Sequence, residues 1–313
     1  MNILVTGNLG YIGSVLVPLL QNKGHQVTGL DSGYFEDCLL SPVSENFKQI
    51  TKDIRDVESG VLDGVEAVIH LAGLSNDPLG ELAPGLTEEI NFDGAMKLAS
   101  LSKEAGVKRF IYSSSQSMYG VSDTDEELDE DLSNKNPVTA YAVTKWNAEL
   151  QLNKLQSDSF LVCSFRPSTV FGVSPRLRCD IVFNNLVACA YTTNKIEIKS
   201  DGTPWRPVVH IQDVCAAFRF VVDNWAECKD QVFNVGNDAL NCTKMELAKQ
   251  IAEVIPCEIY VNENFKDPDK RDYIVSSQKI YDLGFECKID LKTGIKQVQS
   301  AYDILDEPWY ANY

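Results

Sequence analysis

Tyr141 and Lys145 are the two side chains whose spacing most directly suggests chemistry. They lie four residues apart in the stretch Tyr-Ala-Val-Thr-Lys, which places the phenol and the ammonium on one face of a helix. A tyrosine with its ordinary pKa of about 10 is a poor base at neutral pH, but a neighbouring cation stabilises the phenolate and lowers that pKa. Tyr141 could then take a proton from a hydroxyl group whose carbon gives up a hydride. Because this spacing also occurs by chance, the interpretation needs a hydride acceptor nearby.

Residues at the start of the chain could bind such an acceptor. Gly7, Gly10 and Gly13 follow an apolar run, and an apolar-periodic stretch begins directly after them. Glycines permit a positive φ, let a pyrophosphate approach the backbone and let a helix pack closely on a strand. The helix start, around Tyr11, Ile12 and Gly13, offers free N–H groups to that pyrophosphate. The pattern predicts a strand, a glycine turn and a helix that bind a dinucleotide.

Asp31 indicates which dinucleotide is bound. It lies eighteen residues after Gly13, at the end of the second apolar run. A carboxylate there accepts hydrogen bonds from both adenosine ribose hydroxyls and repels a 2′-phosphate, so the expected cofactor is NAD rather than NADP. The alternative is an ordinary aspartate that opens the turn at residues 31–33. Asp53 and Ile54 follow a third short apolar run, where the carboxylate can meet the adenine amino group.

Composition excludes several classes of function. The net charge of −17 would repel a polyanion, so nucleic-acid binding is not expected. No apolar stretch is long enough to span a membrane and no basic leader precedes the first strand, so we expect neither span nor signal peptide and a cytoplasmic location. The nine cysteines are scattered, which predicts reduced thiols and no metal site. Residues 123–131, seven of which are acidic, are interpreted as a solvated loop.

Alternation of apolar runs with longer helical segments predicts an α/β fold with a doubly wound parallel sheet and a smaller interleaved α/β substrate-binding region. Strands are expected near residues 3–5, 27–30, 47–50, 67–71, 109–112, 160–165 and 233–236, and the clearest helices at 85–105, 140–156 and 214–225. Pro18 falls inside the first helix and predicts a kink. We expect residues 1–167 to form the dinucleotide-binding domain, with 206–237 returning to it. Residues 168–205 and 238–313 then form the substrate-binding region.

A predicted strand at residues 109–112 ends in Ser113, Ser114 and Ser115, and a hydroxyl there could hydrogen-bond the reacting oxygen. With this segment, the chain resembles the extended short-chain dehydrogenases/reductases of the nucleotide-sugar epimerase and dehydratase type, which have a Rossmann sheet. The matching segments are the opening glycine turn, Asp31, Asp53-Ile54-Arg55, His70-Leu71-Ala72-Gly73, Asn91, Ser113 to Gly120, Tyr141 with Lys145, and Arg166-Pro167.

The resemblance implies roles for individual residues. Ser115 takes the place of the catalytic serine or threonine, Tyr141 that of the base, and Lys145 that of the cation that also holds the nicotinamide ribose. Further cofactor contacts are implied for Leu71, Ala72, Gly73, Ser113 and Pro167. Asn91 is implied to be architectural.

Substrate contacts are expected from residues of both halves. The segment at residues 202–214 resembles a family motif whose arginine contacts the nucleotide diphosphate, so Arg206 is the expected ligand, since a guanidinium binds phosphate in a bidentate manner. Arg176, Arg178 and Arg271 are further phosphate candidates or else surface charges. The remaining expected substrate contacts are Ser75, Asn76, Ser115, Gln116 and Thr169. Ser75 and Asn76 lie in a loop that could equally be held by its own turn contacts.

Two departures from the family pattern bear on the reaction. Family members that eliminate water carry Asp-Glu after the catalytic threonine as general acid and base, where this chain has Gln116 and Ser117. Neither side chain titrates near neutral pH, which disfavours a 4,6-dehydratase. Thr169 stands where many members have a substrate-binding asparagine, which puts that contact in doubt.

The sequence therefore predicts an NAD-dependent epimerase of a nucleotide-activated sugar that works through a transient 4-keto intermediate. A nucleotide-sugar 4-dehydrogenase or 4-ketoreductase would use the same residues, and a non-catalytic NAD-binding regulator is a third possibility that the intact Ser115, Tyr141 and Lys145 disfavour. By analogy with the family, a homodimer formed through helices 85–105 and 140–156 is expected.

Overall fold

The computed structural model describes residues 1–41, 47–75, 77–122, 124, 126–262 and 271–305. Its strands are β1 (Asn2–Thr6), β2 (Gln26–Asp31), β3 (Lys48–Thr51), β4 (Ala67–His70), β5 (Arg109–Ser113), β6 (Leu161–Pro167), β7 (Thr169–Phe171), β8 (Lys195–Ile198), β9 (Trp205–His210), β10 (Gln231–Val235), β11 (Asn241–Thr243) and β12 (Glu258–Val261). Its helices are α1 (Gly13–Gln21), α2 (Asp77–Leu82), α3 (Pro84–Glu88), α4 (Gly94–Glu104), α5 (Ala140–Leu155), α6 (Val182–Thr193), α7 (Ile211–Asp223), α8 (Trp225–Cys228), α9 (Lys244–Val254), α10 (Gln278–Tyr281) and α11 (Leu291–Asp303).

Seven parallel strands of the described residues form the main sheet, in the order β10-β6-β5-β4-β1-β2-β3. The central strands are mainly apolar, as expected where helices cover both faces of a parallel sheet, and every residue of β4 is buried. The strand order reverses between β1 and β4. A doubly wound sheet opens a crevice at such a reversal, beyond the carboxyl ends of its strands. The α/β fold class predicted from the sequence is confirmed.

Two helical layers enclose the sheet. The apolar stripe of α7, which includes Val214 and Phe218, packs with Leu16 of α1 against Phe165 and Phe233 on one face. On the other face, α4 and α5 pack against Phe110 and Phe160 of the sheet region. Helix α5 is thereby fixed over β5 and β6, with its N-terminal end at the carboxyl edge of the sheet.

A second core lies among α6, α9 and α11 and includes Phe183, Leu247 and Ile295. Two small sheets border it: β7 and β9 pair in parallel with β11 antiparallel to β9, and β8 pairs in parallel with β12. None of the helices in the described ranges is long and apolar enough to cross a bilayer.

The helix expected at residues 85–105 is present as an unbroken helical run, with a π-helical turn in its middle. Helix α3 is followed by a π-turn at Glu89–Asp93 and then by α4. Asn91 lies in this turn, where its side-chain Oδ1 accepts from the N–H of Leu74 at 2.7 Å and its Nδ2 donates to the Leu74 carbonyl at 2.9 Å. The wider turn directs this amide to the loop after β4, which periodicity alone could not reveal. Pro18 lies within α1, and the kink expected there stays a prediction.

The solvated-loop interpretation of residues 123–131 holds for the exposed Thr124, Glu126, Glu127 and Asp131, but not for two other described residues of the segment. Glu130 is buried, and its carboxylate accepts from the N–H of Asn234 on β10 at 2.6 Å. Leu128 is buried and bridges to Val275. The segment packs against the end of β10, so its acidic composition hides a structural contact.

His70 on β4 supplies a pH test of the fold. It is fully buried, its Nδ1 lies 2.7 Å from Thr6 Oγ1, and burial, with a smaller contribution from the Lys145 charge, lowers its pKa to about 3. Below pH 6.5 the unfolded chain binds a proton that the folded protein does not, so stability is lost as the pH falls toward 3. The expected loss from His70 between pH 7 and pH 5 is about 2 kcal/mol.

Urea unfolding of the wild-type protein and of His70→Gln at both pH values measures this loss. The wild type should lose about 2 kcal/mol more than the variant on acidification. Equal losses in the two proteins would contradict the buried neutral state of His70.

Candidate functional site

The glycine turn between β1 and α1 leaves no room for side chains. Gly7 has a φ of +73°, and a Cβ at this position would lie 2.7 Å from the nitrogen of Ala72. A Cβ at Gly13 would lie 2.2 Å from the Gly7 carbonyl oxygen. Ile12, which precedes α1, gives this helix no side-chain cap. Backbone without side chains at an uncapped helix start is a cradle for a pyrophosphate.

The side chain of Tyr11 has a structural role in addition to the backbone contact with the cofactor expected at this residue. Its hydroxyl donates to the Gly172 carbonyl at 2.7 Å and accepts from Asn184 Nδ2 at 3.1 Å. Asn184 also donates to the carbonyl of Arg178 at 2.9 Å. The side chain of Tyr11 therefore ties the glycine turn to the segment before α6, and its backbone remains available to a cofactor.

Asp31, at the end of β2, forms a hydrogen bond with the backbone of the glycine turn. Its Oδ2 accepts from the N–H of Leu9 at 3.1 Å and its Oδ1 from the N–H of Gly33 at 3.0 Å. Burial raises the pKa of Asp31, and the backbone donors oppose this shift. Both the turn interpretation and the ribose interpretation thus fit the position, since a carboxylate has lone pairs beyond these two bonds.

Asp53 caps the short helical turn at Ile54–Asp56. Its carboxylate forms an ion pair with Arg55 at 2.8 Å and accepts from the Tyr34 hydroxyl at 3.0 Å. The Arg55 hydrogen bond is the main cause that holds the pKa of Asp53 down at about 2. Ile54 is buried against α4, where a Cβ on Gly94 would lie 2.9 Å from it.

The segment after β4 connects this cradle to the proposed base. The N–H of Leu71 donates to the Thr6 carbonyl at 3.1 Å, which holds the segment beside β1. Ala72 faces Gly7, and a Cβ on Gly73 would lie 3.6 Å from Lys145 Nζ. Leu71, Ala72 and Gly73 therefore lie between the glycine turn and Lys145, as expected of residues that line a bound dinucleotide.

Tyr141, Lys145 and Ser115 meet at the carboxyl edge of the sheet. Thr139 caps α5 through its side chain, so the helix begins at Ala140, one residue before Tyr141. Ser115 hydrogen-bonds the Tyr141 side chain and also accepts from the N–H of Ser117 at 3.1 Å. Lys145 Nζ donates to the Ser113 carbonyl at 2.8 Å. The structure thus brings together the three residues assigned to catalysis.

The pKa values at this site correct one expectation. Burial raises the pKa of Tyr141, the Ser115 hydrogen bond lowers it, Asp77 raises it, and Arg178 and Arg271 lower it. Lys145, expected to lower this pKa, is not among these causes. Burial lowers the pKa of Lys145 itself to about 8.

Two arginines act on Tyr141, and each is paired with an aspartate. Arg178 contacts Asp180 at 2.6 Å and donates to Ser75 Oγ at 2.8 Å. Arg271 contacts Asp77 at 3.1 Å. These pairs form a charged rim around the phenol. Asp77 was not expected here, because its stretch of sequence resembles an ordinary Pro/Gly loop.

Two further arginines that were expected to contact the substrate, Arg206 and Arg176, are buried. Arg206 is buried on β9 and donates to the carbonyls of Trp205 and Arg271, and its expected contact with a diphosphate stays a prediction. Arg176 is buried, with its guanidinium 4.6 Å from the ring centroid of Phe35.

Gln116 is 1% exposed, and neither of its amide atoms has a hydrogen-bond partner among the described residues, which is compatible with a ligand contact. Thr169 begins β7 and is half-buried, and Pro167 ends β6 and is buried. Asn76 lies outside the described residues.

Comparisons with known proteins agree with this geometry. Residues 3–236 match the model of the NAD dependent epimerase/dehydratase family. A UDP-glucose 4-epimerase of Mycolicibacterium smegmatis is 32% identical over 82% of this chain and 83% of its own length. A dTDP-D-glucose 4,6-dehydratase of Mus musculus is 29% identical over 96% of this chain and 88% of its own length.

A solved structure shows the same fold. MoeE5, crystallised with UDP-glucose and NAD, superimposes with a TM-score of 0.79 and 26% identity, covering 96% of this chain and 98% of that one. The family match spans the glycine cradle, Ser115, Tyr141 and Lys145. The chain belongs to the NAD-dependent epimerase/dehydratase family, and its cofactor is NAD.

Proposed function

We propose that this protein is an NAD-dependent 4-epimerase of a nucleotide-activated sugar. The observation that carries the proposal is the half-buried Tyr141 side chain, hydrogen-bonded by Ser115 and placed one helical turn from Lys145. Lys145 lies beside the Gly73 segment, which leads to the glycine cradle. A base beside a dinucleotide site is the arrangement that oxidation of a sugar hydroxyl requires.

The residues have separable roles in the proposed reaction. Tyr141 removes the proton from the sugar 4-hydroxyl, while Ser115 hydrogen-bonds the same oxygen and keeps it in line. Lys145, whose pKa is about 8, is largely protonated at neutral pH and would hold the nicotinamide ribose, the role that the family resemblance implies. The glycine cradle and residues 71–73 would hold NAD, which would supply a hydride acceptor that is regenerated in the same turnover. Rotation of the 4-keto sugar between the two hydride transfers inverts the carbon.

Gln116 and Ser117 favour epimerisation over loss of water. Both are buried directly beside Ser115, at 1% and 3% exposure. Elimination needs a general acid and a base at the sugar, and neither an amide nor an alcohol side chain supplies them near neutral pH. The similarity to a dTDP-D-glucose 4,6-dehydratase therefore does not transfer that relative's reaction to this chain.

Arg178 and Arg271 are the proposed anchors of the nucleotide-sugar. The charges of both arginines lower the pKa of Tyr141. Both residues belong to the region proposed to bind the substrate. Arg178 is nearly buried and bidentate on Asp180, which presents a fixed guanidinium fork. Arg206 would contribute indirectly, because it donates a hydrogen bond to the Arg271 carbonyl and so helps to position Arg271.

We further propose a homodimer formed through the outer faces of α3 and α5. Leu86, Val143 and Leu150 are exposed on these helices, with Leu82 and Val138 nearby in the chain. Val143 and Leu150 are seven residues apart, which places them two turns apart on one face. A second copy of the chain that presents the same face would cover these exposed apolar side chains in both copies.

Replacement Tyr141→Phe tests the base. Loss of the general base should lower kcat roughly 10²–10⁴-fold while NAD still binds. Turnover is measured with UDP- and dTDP-activated glucose, galactose and glucuronic acid, with products identified by NMR. An epimer at C4 without net NADH is expected. Sustained NADH accumulation would replace the epimerase by a dehydrogenase, and near-normal turnover of Tyr141→Phe would overturn the base assignment.

The choice of NAD over NADP tests Asp31. The wild type should bind NAD at least roughly tenfold more tightly, because a 2′-phosphate would meet a like charge. Isothermal titration with Asp31→Ser should show this preference largely lost. The matched control is Asp53→Asn, which should weaken both cofactors equally. Equal affinities in the wild type would refute the ribose role.

Light scattering at micromolar concentration tests the dimer. The wild type should have the mass of two chains, and Leu150→Glu should be monomeric because a charge cannot be buried in the apolar contact. Leu132→Glu, which alters a leucine that is 87% exposed outside these helices, should remain dimeric. A monomeric wild type would refute the interface.

A further inference from the structure

Arg166 on β6 is a buried cation that the proposed mechanism does not use. Its guanidinium forms two bonds to the Glu149 carboxylate, at 2.5 Å and 3.2 Å, and both side chains are at most 3% exposed. Its Nη1 donates to the Tyr119 hydroxyl at 3.0 Å and to the Glu130 carbonyl at 3.1 Å. The guanidinium also lies over the rings of Tyr119 and Trp146.

The partners of Arg166 belong to the elements that carry the catalytic side chains. Glu149 lies on α5 one turn after Lys145 and two turns after Tyr141. Tyr119 ends the short 3-10 helix at Gln116–Tyr119, which Ser115 caps. Arg166 itself precedes Pro167 at the end of β6. One planar group thus joins the helix of the base, the segment of the serine and the strand end beside the cofactor site.

We propose that Arg166, Glu149 and Tyr119 are positioning residues that hold Ser115 in hydrogen-bond distance of Tyr141. The inference rests on the proposed role of Tyr141 as base. Arg166 fixes α5 through Glu149 and fixes the serine segment through Tyr119, so the distance between the two elements is set by one rigid fork. The Tyr119 hydroxyl is locked in turn, because it lies 2.9 Å from Asn234 Oδ1 on β10.

Energetics support a positioning role over a role in stability alone. Desolvation of a buried ion pair offsets most of its attraction, and apolar replacements of both partners often leave stability unchanged or increased. A guanidinium with donors in fixed directions sets angles and distances that an apolar contact does not set. Misplacement of a reacting group by about 1 Å can cost roughly 10²-fold in rate.

The pH dependence of the reaction rate reports whether Tyr141 keeps its hydrogen bond to Ser115. The titratable and charged groups around it are Lys145 on α5, Tyr112 on β5, Asp77 on α2, Arg178 before α6 and Arg271. None of these groups is altered in the variants below. Loss of the Ser115 hydrogen bond, which lowers the pKa of Tyr141, moves the rising limb of the rate profile to higher pH.

The decisive variant is the double replacement Arg166→Met with Glu149→Met. It removes both charges together and so avoids an unpaired buried ion, which would prevent folding in either single variant. We expect thermal stability near that of the wild type, a kcat lowered roughly 10²-fold and a rising limb at higher pH, with the affinity for NAD unchanged. Tyr119→Phe, which cuts only the link to the serine segment, should shift the same limb with a smaller loss.

The matched control is Ser102→Ala, which removes a buried hydroxyl bonded to the Leu98 carbonyl within α4. It should lower the melting temperature and leave the pH profile unchanged. A double variant with wild-type kcat and pH profile would overturn the positioning inference. Retained activity in Tyr141→Phe would instead overturn the proposed function, so the two failures are distinguishable.

Discussion

The close approach of three backbone segments at the carboxyl edge of the sheet is the constraint on which the rest of the structure depends. Gly7 lies against Ala72, Gly13 lies against the Gly7 carbonyl, and neither contact admits a Cβ. This packing brings the start of α1 beside the end of β4. The cradle for the pyrophosphate and the lysine of α5 are therefore set on either side of residues 71–73.

An acidic protein that binds anions must concentrate its positive charge. The net charge is −17, yet the rim of Tyr141 carries Arg178 and Arg271, each beside an aspartate. The aspartates orient the guanidinium groups and reduce the repulsion between two close cations. The remaining donors of each fork can still face a phosphate, because a guanidinium has five N–H groups. Local geometry, and not overall charge, therefore decides what this site attracts.

The sequence predicted those parts of the site that depend on local rules. The glycine turn, the end of β2 at Asp31 and the face shared by Tyr141 and Lys145 follow from steric limits and helical spacing. It could not predict contacts that join distant segments. Arg206 resembles the phosphate ligand of a motif and also donates to the Arg271 carbonyl, and Glu130 belongs to an acidic run but is buried on Asn234. Such outcomes depend on how β9 and β10 are placed, which no local pattern determines.

Helix α5 is held at two points, its N-terminus and its middle. Tyr141, the proposed base, lies between these two points. At its N-terminus, Thr139 donates to Asp77 at 2.8 Å and the Ala140 N–H donates to Glu81 at 2.7 Å, contacts that also suit the positive end of the helix dipole. In its middle, Glu149 is fixed by Arg166. A helix anchored at one end alone could tilt, and Tyr141 would move relative to Ser115. Because Asp77 is also the partner of Arg271, the anchor nearest the base and the charged rim share one carboxylate.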